Sequence, residues 1–260
     1  MAPDGRPGPA IRIEHLTKRF GRLVAVDDLS LEVGRGQIFG LLGSNGAGKT
    51  TTLKVLTGLL RPDRGSVRID GVDVLRDPVE AKRRIGFLPE APALYDQLTA
   101  REFLEMIGTL RGMEPSNLDR RIGGLLDMME LADFADTNIG TFSRGMRQKL
   151  AFSSAVLHEP AILVLDEPLS GLDPRFGKLF KTWIREHSAK GGSVLMSTHV
   201  TSNAEEMCDR VAVIDRGRAL ASGPVKEVLE AARARTLEDA FVALVGGSRW
   251  PRSPSSPPTR

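Results

Sequence analysis

Disulfide pairing within the chain is ruled out at once, because its 260 residues contain a single cysteine, Cys208. A lone cysteine suits a reducing compartment. Long apolar runs are missing too: none approaches the roughly 20 residues needed to span a bilayer. The longest, such as "AILVL" at Ala161 to Leu165, have the length of buried strands. The first ten residues, "MAPDGRPGPA", lack the apolar stretch of a signal peptide. Charge of one sign is not in strong excess. The formal net charge of +3 is too small to argue for nucleic acid, and terminal Arg249, Arg252 and Arg260 supply part of the basicity. No internal repeat at solenoid periods is visible. These absences lead us to expect a cytoplasmic chain that reaches a membrane only through a partner.

What is present is the composition of an ordinary globular protein, 41% hydrophobic and 27% charged, with enough length to bury a substantial core. Both ends read as mobile tails. Residues 1–10 are Pro, Gly and Arg-rich, and residues 247–260 fall in "GGSRWPRSPSSPPTR"; neither holds enough apolar content to offset the entropy of ordering. Trp250 is the one tail residue suited to docking locally. Residues 11–246 are then the folded domain.

Within that domain, short apolar runs alternate with helix-like segments. The expected strands are Gln37 to Leu42, Arg84 to Pro89, Ala161 to Asp166, Gly192 to Thr198 and Arg210 to Asp215. Helices are expected over Lys49 to Leu59, Ser143 to Leu157, Arg175 to Ala189 and Val200 to Cys208. Near-continuous apolar strands belong to a sheet covered on both faces, so the pattern predicts an α/β core with a mainly parallel sheet. Two stretches depart from it. "AIRIEHLTKRF", "AVDDLSLEV" and "GSVRIDGVDV" read as an antiparallel β subdomain. Residues 91–158 read as an inserted helical subdomain without a convincing strand.

The chemistry begins at "GLLGSNGAGKTT". Its Gly43-Ser44-Asn45-Gly46-Ala47-Gly48-Lys49-Thr50 has the G-x-x-x-x-G-K-[ST] spacing of a phosphate loop, from which we expect a P-loop NTPase core. Glycines let backbone N–H groups turn inward around phosphate oxygens, and the helix opened by Lys49, Thr50 and Thr51 adds its positive end. Lys49 is placed to reach the β- and γ-phosphates of ATP, and the Thr50 hydroxyl to help hold Mg2+. In "AILVLDEP" the strand runs into Asp166 and Glu167 at the carboxyl edge, where open α/β sheets bind ligands. Asp166 suits a water-bridged magnesium contact; Glu167 suits orienting and deprotonating a water. "VLMSTH" ends the next strand on His199, whose imidazole can hydrogen-bond a γ-phosphate oxygen. "TFSRGMRQKL" reads as a helix mouth capped by Ser143, and its purpose is not evident locally.

Taken in order, "GSNGAGKTT", "FLPE", "SRGMRQ", "LVLDEP", "SGLD" and "STH" resemble the ATP-binding cassette family, the nucleotide-binding subunits of ABC transporters. The resemblance covers about Ile11 to Val245. It implies a pair of such domains, a homodimer or a heterodimer with a related chain, sandwiching two ATP molecules head to tail. Ser143 and Gly145 match signature positions that contact the γ-phosphate held by the opposite subunit. Asp173 matches the D-loop at the dimer interface, and Phe20 matches the aromatic position that stacks on adenine. Integral membrane permease subunits are implied as partners, placing the chain on the inner face of the membrane, with no nucleic acid.

Two positions depart from the commoner family pattern. Glu90 stands where many members carry the Q-loop glutamine; a carboxylate can approach magnesium and its water but cannot donate an amide hydrogen bond. Arg144 replaces the first glycine of the signature pair. Both resemble the single-domain ATPase subunits of type-2 exporters, as does "TLEDAFVALVG", where Leu237, Phe241 and Leu244 are expected on one helical face. The competing readings are a soluble mechanical ATPase acting on ribosomes or nucleic acid, and a regulatory nucleotide-binding module with little turnover. The cargo is not legible.

Overall fold

The computed structural model describes residues 8–246, so the expectations for residues 1–7 and 247–260, Trp250 included, lie outside the described residues. Ala10 was assigned to the tail, yet it is buried. Its N–H donates to the Val33 carbonyl at 2.9 Å and its carbonyl accepts from Asp70 N–H at 2.8 Å, so it packs with the sheet.

The first sheet contains β1 (Ile11–Phe20), β2 (Leu23–Val33), β4 (Arg64–Ile69) and β5 (Val72–Asp73), in the order β2-β1-β4-β5 and antiparallel throughout. The second contains β3 (Ile38–Gly43), β6 (Ile85–Leu88), β7 (Ile162–Asp166), β8 (Ser193–Thr198), β9 (Arg210–Asp215) and β10 (Arg218–Pro224). Its order is β10-β9-β3-β8-β7-β6, and every pairing except β9–β10 is parallel. The α/β class with an antiparallel β subdomain is therefore correct; β10 is the strand the apolar pattern did not mark.

Strands β3, β7 and β8 are buried along their whole length, and β6 and β9 nearly so, because each feeds two cores. In β7, Ile162 and Val164 face one core while Leu163 and Leu165 face the other; β9 divides Ala212 and Ile214 from Val211 and Val213 in the same way. That is the two-sided burial which a continuous apolar run encodes. Helix α1 (Lys49–Leu56) lies in the core shared with the first sheet, with Leu53 and Leu56 fully buried. It stops short of the expected Leu59 because the Thr57 hydroxyl bonds back to Leu53 O at 2.9 Å and Gly58 turns left-handed.

Helix α2 (Pro78–Arg83) precedes β6, and between β6 and β7 the chain forms α3 (Ala100–Leu110), α4 (Pro115–Met128) and α5 (Arg144–Val156). Thr99 and Glu102 form a reciprocal capping box at the start of α3. The other core receives this segment together with α6 (Pro174–Ala189), α7 (Thr201–Met207), α8 (Val225–Ala232) and α9 (Leu237–Val245). Leu237, Ala240 and Leu244 of α9 are buried, and Phe241 packs at the margin.

His158, just beyond α5, reaches Ile85 O on β6 through Nε2 at 3.1 Å. Burial, aided by the Arg111 charge, pushes its pKa from 6.5 to about 4, against the opposing effect of that hydrogen bond. Above pH 6.5 neither state binds this proton. Between 6.5 and about 4 the unfolded chain binds it and the folded chain does not, so stability falls as pH falls through this window. His187 is depressed by burial in the same direction. Urea unfolding of His158→Gln between pH 6.5 and 4 is expected to lose up to about one proton's worth of that slope. An unchanged slope would show that the folded protein protonates His158 normally.

Candidate functional site

β3 is fully buried and ends at Gly43, so the loop that follows emerges at the carboxyl edge of the parallel sheet. At its far end Gly48 is the N-cap of α1, with φ +107° and no side-chain cap, and the first turn of α1 contains no acidic residue. A helix that opens this way leaves N–H groups directed at whatever anion occupies the loop. The loop is braced from behind. Gly217 N–H donates to Ala47 O at 2.9 Å, and Asp27 N–H donates to Gly217 O at 2.8 Å. A Cβ on Gly48 would lie 2.4 Å from Ala25 O, so β2 approaches the loop as closely as backbone allows.

Lys49 folds back beneath the loop. Its Nζ donates to Gly43 O at 2.9 Å and Ser44 O at 3.2 Å, and lies 3.4 Å from Glu167 Oε1. Both charged side chains are buried, with 6% and 8% exposure. Glu167 reaches this position because its backbone is left-handed, at φ +48°, immediately after β7. Non-glycine residues in that region are uncommon and cluster at functional sites. His199 Nδ1 approaches the same Oε1 at 3.0 Å, yet this buried oxygen has no well-directed hydrogen bond. Asp166 is held differently: Ser197 Oγ donates to its Oδ1 at 2.5 Å, and Glu167 N–H in turn donates to Ser197 Oγ at 3.1 Å.

A cavity of about 620 Å³ opens here, a size suited to a small organic ligand. Of the residues expected from sequence, it is lined by Phe20, Asn45, Gly46, Gly48, Lys49, Thr50, Thr51, Glu90 and Glu167. Phe20 is about half exposed, at 47%, leaving ring surface for stacking. Gly43, Ser44, Ala47, Asp166 and His199 support this wall without lining the cavity. Ser143, Gly145 and Asp173 lie outside it. Ser143 Oγ caps α5 by accepting from Met146 N–H at 3.2 Å. Asp173 Oδ1 caps α6 by accepting from Phe176 N–H at 2.9 Å, which holds its carboxyl below the usual range.

Three apolar contributors, Leu23, Val24 and Ala25, were not anticipated, and neither was Arg216. Arg216 and Gly217 both have positive φ and form the two-residue turn between β9 and β10. Gly217 is the only local mark of this turn in the sequence, and nothing in "DRG" announces a ligand.

Among the described residues no group of three His, Cys, Asp or Glu could hold a metal on its own. The oxygen donors of Thr50, Asp166 and Glu90 nevertheless suit a hard cation that takes its remaining ligands from water and a bound phosphate.

The family model described as ABC transporter matches residues 26–170, which includes the loop, the helical segment and both carboxylates. This chain belongs to the ABC transporter family. Over 235 residues it is 38% identical to the Nod factor export ATP-binding protein I of Ralstonia nicotianae, covering 88% of this chain and 73% of that protein. Among solved structures, an ATP-binding subunit of an ABC transporter superimposes with a TM-score of 0.86 at 32% identity, over 91% of this chain and 99% of that one. A bacterial ABC transporter cassette solved as a dimer gives 0.76 at 25% identity, over 82% and 98%. The protein is thus an ABC ATPase subunit, which binds and hydrolyses ATP for a transporter; the ribosome or nucleic-acid alternative is not favoured. No helix among the described residues is long and apolar enough to cross a membrane.

Gly48 gives a direct test of how tightly this ABC loop is built. Alanine there meets both the Ala25 carbonyl and a strained φ, at a cost of about 1–3 kcal/mol. Gly48→Ala is expected to lower thermal stability and to weaken ATP binding at least about tenfold, measured by calorimetry. Unaltered ATP affinity would mean that the loop adjusts without this glycine.

Proposed function

We propose that this subunit is one half of an ATP-closed pair that powers export through separate integral membrane permease subunits. The reading is carried by a division within one chain. Lys49, Thr50, Glu90 and Glu167 meet at one cavity, while Ser143 and Gly145 sit at an exposed helix mouth outside it. A second subunit, either another copy or a related ATPase chain, completes each site by presenting its own Ser143 and Gly145 to the γ-phosphate of the ATP opposite. Asp173 then lies at the shared interface, and adenine stacks on Phe20. The dimeric cassette among the structural relatives supports pairing, and the relative named for Nod factor export supports the direction of transport.

Lys49 exchanges its contacts with the loop carbonyls and Glu167 for the β- and γ-phosphates. Glu167, released from Lys49, orients a water and takes its proton as the water oxygen bonds to the γ-phosphorus and the bond to ADP breaks. His199 hydrogen-bonds the γ-phosphate and holds Glu167. The unsatisfied Oε1 of Glu167 is the atom best suited to receive that water. Thr50, Asp166 and Glu90 would hold Mg2+, which supplies charge neutralisation to the phosphates when bound. Loss of phosphate removes contacts made by both subunits, and the pair reopens.

Coupling runs through the segment after β6. A groove whose apolar residues are Leu59, Val79, Phe87, Ile107 and Leu110, with Lys82, Arg83 and Arg111 among its other lining residues, lies beside β6, which ends two residues before Glu90. Leu110 is 77% exposed there, and the groove suits a cytoplasmic helix of the permease. Such a contact places this chain at the inner face of the membrane.

Glu167→Gln is expected to reduce ATP hydrolysis at least about 100-fold while keeping ATP binding, and to dimerise with ATP in light scattering. Hydrolysis at the native rate would remove Glu167 from its role, and a protein that stays monomeric with ATP would sink the two-subunit reading. Separately, Leu110→Asp is expected to abolish co-purification with integral membrane proteins from detergent extracts without altering ATP binding. Retained co-purification would place the permease contact elsewhere.

A further inference from the structure

Arg144 stands in an electrostatically awkward place. It is the first residue of α5, where the helix end is already positive, and the first turn has no acidic residue to offset it. Among the described residues no carboxylate pairs with it. Instead the side chain crosses to the turn that follows Glu167, where Nη2 donates to Ser170 Oγ at 3.3 Å. The guanidinium stem lies over Gly171, whose φ is +74° and where a Cβ would stand 2.9 Å from Nε and 3.1 Å from Cζ. Gly171 thus leaves the space that Arg144 occupies. Ser170 is itself tied to the reacting carboxylate's residue, since its N–H donates to Glu167 O at 3.1 Å.

We infer that Arg144 is a positioning residue that couples the two ATP sites, by fixing the Ser143–Gly145 helix mouth to the Ser170–Gly171 turn of the same subunit. The inference rests on the two-subunit reading above. When the helix mouth engages the facing subunit's ATP, the displacement is passed through Arg144 to Ser170 and from there to Glu167, which serves this subunit's own ATP. Each subunit therefore reports the occupancy of its partner's site to its own water-orienting carboxylate. A guanidinium suits the task because its planar fork can lie over Gly171 while one nitrogen still reaches the hydroxyl.

The test is a double-mutant cycle in the purified full-length protein, read as kcat, KM for ATP and the Hill coefficient of hydrolysis. Arg144→Met and Ser170→Ala are each expected to lower kcat about fivefold, with KM changed less than about twofold and the Hill coefficient falling towards 1. The double variant is expected to lose no more than either single one, Arg144→Lys to recover part of the rate, and melting temperatures to stay level. Loss in Arg144→Met with full activity in Ser170→Ala would overturn the inference, because Arg144 would then act on something other than this turn. Additive losses or two fully active variants would overturn it as well. The Glu167→Gln protein serves as the parallel control. If ATP dimerises it while the losses are additive, only this inference fails; if ATP does not, the two-subunit reading fails and takes the inference with it.

Discussion

A buried lysine and a buried glutamate, facing one another across the edge of one sheet, set the conditions for the rest of the molecule. Lys49 Nζ and Glu167 Oε1 are 3.4 Å apart and nearly sealed from water. Removing two charges from solvent costs several kcal/mol each, and their attraction repays this only with good geometry and further hydrogen bonds. Lys49 has two carbonyl partners, whereas Glu167 Oε1 has Lys49 and the His199 ring close by but no well-directed bond. The pair is therefore satisfied on one side only. On the proposed mechanism an entering polyphosphate offers Lys49 a stronger partner and leaves the glutamate free for a water, so that ligand entry and base release become the same event.

The fold exists, in this respect, to bring three sheet ends together. Lys49 follows β3, Glu167 follows β7 and His199 follows β8, and β8 lies between β3 and β7. Because the three strands are parallel, their ends and the residues after them meet at one edge. Antiparallel neighbours would send alternate groups to opposite ends. Parallel pairing demands crossover helices and covered faces. Hence each strand carries apolar residues on both sides, and two cores flank the sheet.

Those requirements decide what the sequence could disclose. Continuous apolar runs ending in Asp166 or Thr198 reveal both the parallel strands and the residues at their ends, because burial and site placement share one cause. The Gly43 to Thr50 loop was legible because its spacing follows from phosphate size. Other features have no local cause. The left-handed backbone of Glu167, which brings it to Lys49, has no mark in "LDEP" itself. Arg216 and Ala25 enter the site through pairing between segments nearly 200 residues apart, and Arg144 meets Gly171 from a different helix-to-turn junction. Ala10 was read as tail for the converse reason: small residues in a Pro and Gly context give no periodicity, while the bonds to Val33 and Asp70 are made at long range.

Helix α5 joins these two kinds of information. Its 13 residues span about 20 Å, from the exposed Arg144, just after its cap Ser143, to the buried Val156. Just past its end, His158 is bonded to Ile85 on β6, the strand that leads to Glu90. A helix held this firmly at one end behaves as a lever rather than as a hinge. On the two-subunit reading, a displacement at Ser143 is carried along the hydrogen-bonded helix to β6 at the far end and, through Arg144, to the turn after Glu167 at the near end. One element thus touches both β6, which leads to the proposed permease groove, and, through Arg144, the turn after Glu167.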